Sequence, residues 1–232
     1  MVVNGFPYKN GQHTEIIDLQ DPLYHCEIQK FPIQMNGATG GLINGTPMLC
    51  GGFSYDSRTY LDTCHILQEN GEWIQDGIAS LTTNRYLAGS VVMNGQLVMV
   101  GGYNGKYLPS IEMVSPNTKS MTLPIRLPQG LQPCVIRWDE HTIMVIGGYI
   151  GFNEYIAETY FVDLVNKTIN PGPKLNKKRS HHACAEMIVN GQDAIVVTGG
   201  YDAKTSTEIL VKSNLRNGWQ MGKILCTKNS NK

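Results

Sequence analysis

Short apolar runs recur along this chain, and each breaks off at a glycine pair followed by an aromatic residue. They lie at Pro47–Phe53, Leu97–Tyr103, Thr142–Tyr149 and Ala194–Tyr201, and a degraded copy, Val2–Phe6, opens the chain. Runs this short, bounded by turn residues, read as buried strands rather than helices. Ahead of three of them stands an Asn-Gly pair (Asn44-Gly45, Asn94-Gly95, Asn190-Gly191). Asn-Gly between two apolar runs predicts a tight hairpin, because both central residues of that turn take positive φ. The strand before each turn holds small and apolar residues, as in Leu87–Val92 and His182–Ile188.

A second landmark keeps step with the first. The second glycines fall at positions 5, 52, 102, 148 and 200, spaced 47, 50, 46 and 52 residues apart. A large apolar residue follows each at a nearly constant distance: Tyr24, Trp73, Met121, Ile169 and Trp219. Seven residues before the first four stands a β-branched residue: Ile17, Ile66, Val114 and Val162. Turn formers such as Asn70-Gly71 and Ser115–Lys119 fill the gap. Each unit thus predicts four antiparallel strands. The glycine pair ends strand two, a loop leads to strand three, and the Trp-type residue begins strand four.

A repeated four-stranded unit of about fifty residues with a Gly-Gly-aromatic strand end and a spaced Trp resembles the kelch repeat. The resemblance runs from Asn4 to about Trp219 and implies an all-β, kelch-type β-propeller forming one domain over 1–232. Its blades fall at about 1–30 (partial), 31–78, 79–126, 127–174 and 175–225. Asn4 in place of glycine, and Tyr24, Met121 and Ile169 in place of Trp, mark a divergent member. The first unit begins inside its second strand. Strand one would start 13 to 16 residues after the Trp-type position, as from Met121 to Cys134 and from Trp73 to Gly89, so the tail after Trp219 is too short to supply it. Four complete blades plus one partial blade are therefore expected, in an incomplete or open ring. The chain reads as part of a longer propeller or a partial product, with a five-bladed ring as the other arrangement.

Charge narrows the partners. Nineteen basic and nineteen acidic residues balance, so the basic footprint needed for a phosphate backbone is missing and nucleic acid is not expected. No apolar stretch is long enough for a membrane span, and the N-terminus lacks the layout of a signal peptide. Six cysteines (Cys26, Cys50, Cys64, Cys134, Cys184, Cys226) show no CxxC spacing and mostly sit in apolar runs. They read as buried, reduced core thiols. Cys50 and Cys64 also fall opposite one another on neighbouring strands, where a disulfide would fit an extracellular home. Two sequons, Asn44-Gly45-Thr46 and Asn166-Lys167-Thr168, lie in predicted turns. The compartment stays open between cytoplasm and exterior.

Function is expected on the loops after the glycine pairs, since binding residues gather on loops held by a rigid scaffold. Tyr55, Arg58, Tyr60, Lys106, Tyr107, Phe152, Asn153, Tyr155, Asp202 and Lys204 are the candidate contacts there. The aromatics directly after the glycines (Phe53, Tyr103, Tyr149, Tyr201) read as packing against the neighbouring blade. Arg85 and Arg179 stand at matching points before strand one. The kelch resemblance implies a place for them at the channel mouth, binding acidic ligand groups, against the simpler reading of internal salt bridges. His181-His182 beside Cys184 does not read as a metal site, because neighbours in a strand point to opposite faces. No catalytic or cofactor motif occurs. The expected partner is a protein or peptide segment, in the manner of kelch adaptors. The alternatives are a secreted or enzymatic propeller acting on carbohydrate, or a fragment with no function of its own.

Overall fold

A computed structural model describes residues 29–129 and 131–222, together with three strands near the N-terminus known by backbone alone: β1 (Val2–Val3), β2 (Thr14–Ile17) and β3 (His25–Glu27). Tyr24, Cys226 and the tail after Gly222 lie outside the described residues, and so does the side chain of Cys26.

The described chain is all-β and is built from four antiparallel, four-stranded meanders. The first comprises β5 (Thr39–Ile43), β6 (Thr46–Cys50), β9 (Thr63–Leu67) and β10 (Trp73–Ser80). The second runs β11 (Gly89–Met93), β12 (Gln96–Val100), β13 (Ser110–Val114) and β14 (Met121–Arg126). The third runs β15 (Cys134–Arg137), β16 (Thr142–Gly151), β17 (Glu154–Asp163) and β18 (Thr168–Pro171). The fourth runs β19 (Ala183–Val189), β20 (Gln192–Thr198), β21 (Thr207–Val211) and β22 (Gln220–Gly222). Strands β1–β3 pair as a three-stranded sheet. A second three-stranded sheet, which the repeat pattern does not anticipate, joins β4 (Met35–Asn36), β7 (Phe53–Ser54) and β8 (Thr59–Tyr60).

The predicted hairpins form for the predicted reason. Asn44-Gly45, Asn94-Gly95 and Asn190-Gly191 all have positive φ at both positions. One predicted loop is absent: β16 and β17 run on past the third glycine pair and turn through Phe152-Asn153, again both at positive φ. That makes it a two-residue hairpin with two bulges.

Each sheet packs on the next through apolar faces. Ile43, Met48, Leu97, Met99 and Val114 fill the first joint, Val98, Ile111, Leu131, Val135 and Val145 the second, and Met144, Ile146, Ile195, Val197 and Leu210 the third. The first strands lie side by side in chain order, β5 against β11, β11 against β15 and β15 against β19. This is the arrangement of an open or partial β-propeller, and among the described residues no sheet closes on itself. The outer strand β19 stays accessible, with Met187 and Ile188 at 50% and 68% exposure.

The glycine pairs make the joints. All eight glycines take positive φ. The N–H of Gly52 donates to the Arg85 carbonyl (2.8 Å), Gly102 to Leu131 (2.8 Å) and Gly148 to Arg179 (2.9 Å), each acceptor belonging to the segment that leads into the next sheet. A Cβ on Gly101 would lie 2.1 Å from the Leu131 carbonyl oxygen, so the close approach requires glycine.

The cysteines correct the expectation of reduced thiols. Cys50 and Cys64 are bonded across β6 and β9, and Cys134 and Cys184 are bonded between β15 and β19 of neighbouring sheets.

Candidate functional site

The strand-two-to-three loops and the segments before strand one meet on one face and carry a continuous row of aromatic rings. Tyr55 packs on Phe53 (5.7 Å between centroids), and Phe53 on Tyr60 (5.3 Å) and Tyr86 (6.4 Å). The row continues from Tyr60 to Tyr103 (5.7 Å), Tyr107 (4.9 Å), Tyr149 (5.4 Å) and Tyr155 (5.4 Å). Tyr155 stacks on Tyr201 at 6.0 Å, and Tyr201 meets His181 edge-on at 5.4 Å. The connections of all four four-stranded sheets contribute, that of the first through the three-stranded sheet of β4, β7 and β8. Edge-to-face contacts of this spacing are attractive and fix each ring by its neighbours.

Most of these rings are half-buried, while Tyr201 and His181 are exposed. Burial, aided by Tyr149, pushes the pKa of Tyr107 up to about 12, and burial raises those of Tyr60 and Tyr155 as well. The row therefore offers apolar ring surface studded with hydroxyl groups, of which those of Tyr60, Tyr107 and Tyr155 are held toward the protonated form.

Four predicted contacts, Tyr55, Tyr60, Tyr107 and Tyr155, stand in this row. Arg58, Lys106, Phe152, Asn153, Asp202 and Lys204 are exposed around it, and Phe152 projects fully at its hairpin tip. The rim mixes Asp56, Glu154 and Asp202 with the three cations, so no single sign dominates it. In the sequence Phe53, Tyr103, Tyr149 and Tyr201 read as packing residues, His181 is weighed only as a metal ligand, and Tyr86 is not singled out. The repeated aromatic after each glycine pair was the available signal.

Arg85 and Arg179 are not surface ligands. They are 1% and 0% exposed, and each is consumed inside its own sheet. Arg179 donates to the Gly199 carbonyl (2.8 Å), Ser206 Oγ (3.0 Å) and Glu208 Oε1 (2.7 Å). Arg85 donates to the Gly101 carbonyl (2.7 Å) and Ser110 Oγ (3.2 Å) and pairs with Glu112. The carboxylates are satisfied in turn. Thr82 N–H (2.7 Å) and Ser120 Oγ–H (3.0 Å) donate to Glu112, and Asn176 N–H donates to Glu208 (2.6 Å). The Nε of each arginine is buried without a partner, but both terminal nitrogens are engaged and each charge is neutralised by its glutamate away from solvent, so neither side chain is presented to a ligand at the surface. The legible signal was the Ser-x-Glu at 110–112 and 206–208. At the matching register positions the other two sheets place His65, whose ring lies 4.8 Å from that of Phe31, and Tyr160, in one core cluster with Leu131.

His181 and His182 precede β19 rather than lying in it, and His181 takes positive φ. His182 lines a pocket where the entries to all four first strands converge, with Ala38, Ala88 and Pro133 opposite it. Burial, helped by Arg179, lowers its pKa to about 4. Among the described residues no cluster of His, Cys, Asp and Glu has the makings of a metal site.

The kelch motif matches residues 84–120, the stretch that holds Arg85, the second glycine pair, Ser110 and Glu112. No curated protein matches the chain.

Proposed function

We propose that this chain, with its kelch motif at 84–120 and propeller-like sheets, docks a short segment of a partner protein on the aromatic row of its loop face. A fold of this kind fits a protein-interaction scaffold in general. The observation that carries the more specific reading is the unbroken run of rings from Tyr55 to His181. Tyrosines held in place by one another present contact area with little ordering left to do, and they bring hydroxyl donors to a peptide backbone. The mixed-sign rim adds register rather than bulk attraction.

A random peptide library displayed on phage and selected against the chain tests this. Selected peptides should lose at least about tenfold in affinity, roughly 1.4 kcal/mol, on Tyr60→Ala or Tyr155→Ala, with Lys119→Ala on the opposite face unchanged. Peptides that bind the tyrosine variants and the parent alike, with melts also alike, would overturn the reading.

A further inference from the structure

The four cysteines whose side chains are described are all paired, and they are paired in two different ways. Cys50 and Cys64 face each other within one sheet, deep in the first joint at 1% and 0% exposure. Cys134 and Cys184 clamp the first strands of the third and fourth sheets, across 50 residues of chain. Structural disulfides of this sort persist where the surroundings are oxidising.

Both sequon asparagines lie exposed in turns, and in the folded chain the Asn166 amide donates to Asp163 Oδ2 (2.8 Å). Asn44 is exposed at the left-handed corner of the β5–β6 turn, and Gly95 of the neighbouring turn, lying beside its amide, has no side chain to cover it. Asn166 and Thr168 are exposed in the β17–β18 turn. The middle residues are Gly45 and Lys167, not proline.

Placement completes the picture. Strand β6 runs from Thr46, beside Asn44, to Cys50, beside the glycine pair, and β17 runs from Glu154, beside Tyr155, to Asp163, beside Asn166. Both sequons therefore lie at the strand ends opposite the aromatic row.

We propose that the chain matures in an oxidising secretory compartment and carries N-linked glycans at Asn44 and Asn166, on the face away from the aromatic row. At each site the Asn amide nitrogen displaces a lipid-pyrophosphate carrier from the anomeric carbon of its oligosaccharide. The N–C bond forms, the C–O bond to the carrier breaks, and the amide loses one proton. Each cysteine pair gives two electrons and two protons to a disulfide donor of that compartment by thiol–disulfide exchange. The glycans cover the face of the tight turns and leave the ring row open. This inference does not depend on what the row binds.

Peptide mapping of the full chain recovered from its own cells, alkylated before reduction, reads both parts directly. Glycopeptides at Asn44 and Asn166 are expected, together with unalkylated Cys50, Cys64, Cys134 and Cys184. In cultured animal cells that secrete the chain behind an added leader, Asn44→Gln and Asn166→Gln should each remove one glycan, and Thr46→Ala and Thr168→Ala should do the same with the asparagine intact. Bare Asn44 and Asn166, or alkylated cysteines, in protein from its own cells would overturn the proposal. Occupancy at one site alone would overturn the assignment of the other.

Discussion

Arg85 and Arg179 each stand at a joint between two sheets. The main-chain carbonyl receives the N–H of a glycine in the preceding sheet, and the guanidinium bonds a glycine carbonyl and a glutamate in its own. Removing one ion of such a pair strands the other without solvent. Arg85→Ala should therefore lower stability by about 3–5 kcal/mol in urea unfolding, and Arg85→Met with Glu112→Leu should recover much of that loss. A loss of binding at unchanged stability would return Arg85 to the ligand role that its sequence position suggests. The buried histidines set a pH dependence of their own. Burial lowers both His65 and His182 from an ordinary 6.5 to about 4. Between those values the unfolded chain binds protons that the folded chain refuses, so stability rises with pH. Stability should be fully present above about pH 6.5 and fall steadily as pH drops toward about 4. Urea midpoints across that range will show it, and His65→Gln should flatten the slope.

At the scale of the element, glycine does two separable jobs in this repeat. Gly45 sits at positive φ in an open turn, with nothing near its missing side chain, so Gly45→Ala meets only the conformational penalty of about 1–2 kcal/mol. Gly101 has the same kind of φ but also lies against the Leu131 carbonyl, so Gly101→Ala must push two sheets apart. Thermal melts of the two variants should rank Gly101→Ala as clearly the more destabilised. Equal effects would mean that the joint yields without cost. The fourth strands show how loosely the Trp-type position is held: Trp73 and Trp219 are buried, whereas Met121 is 53% exposed. Its alternation and turn place Met121 at the start of its strand, but burial there depends on what the neighbouring sheet offers.

Across the whole molecule, each sheet is supported by its neighbours, as in other repeat architectures. The fourth sheet packs on the third and is tied to it by Cys134–Cys184. Closing a loop of this length removes about 4 kcal/mol of unfolded-state entropy in the chain-entropy model. The double variant Cys134→Ser, Cys184→Ser should melt at a lower temperature, and hydrogen exchange should quicken in β19–β22 before β11–β14. Uniform exchange across all sheets would show that the clamp acts only on global stability.

The period of fifty residues, the meander order, the Asn-Gly hairpins and the loop face that carries Tyr55, Tyr60, Tyr107 and Tyr155 follow from the sequence by itself. Each depends on local turn chemistry or on alternation along one strand, which neighbours in the chain dictate. Tertiary structure alone decided that Arg85 and Arg179 turn inward, that Cys134 meets Cys184, that Phe152-Asn153 closes a hairpin and that ten rings join in one row. Those outcomes depend on which side chains from different sheets come within a few ångströms of one another, and the repeat period carries no record of distance across the joints.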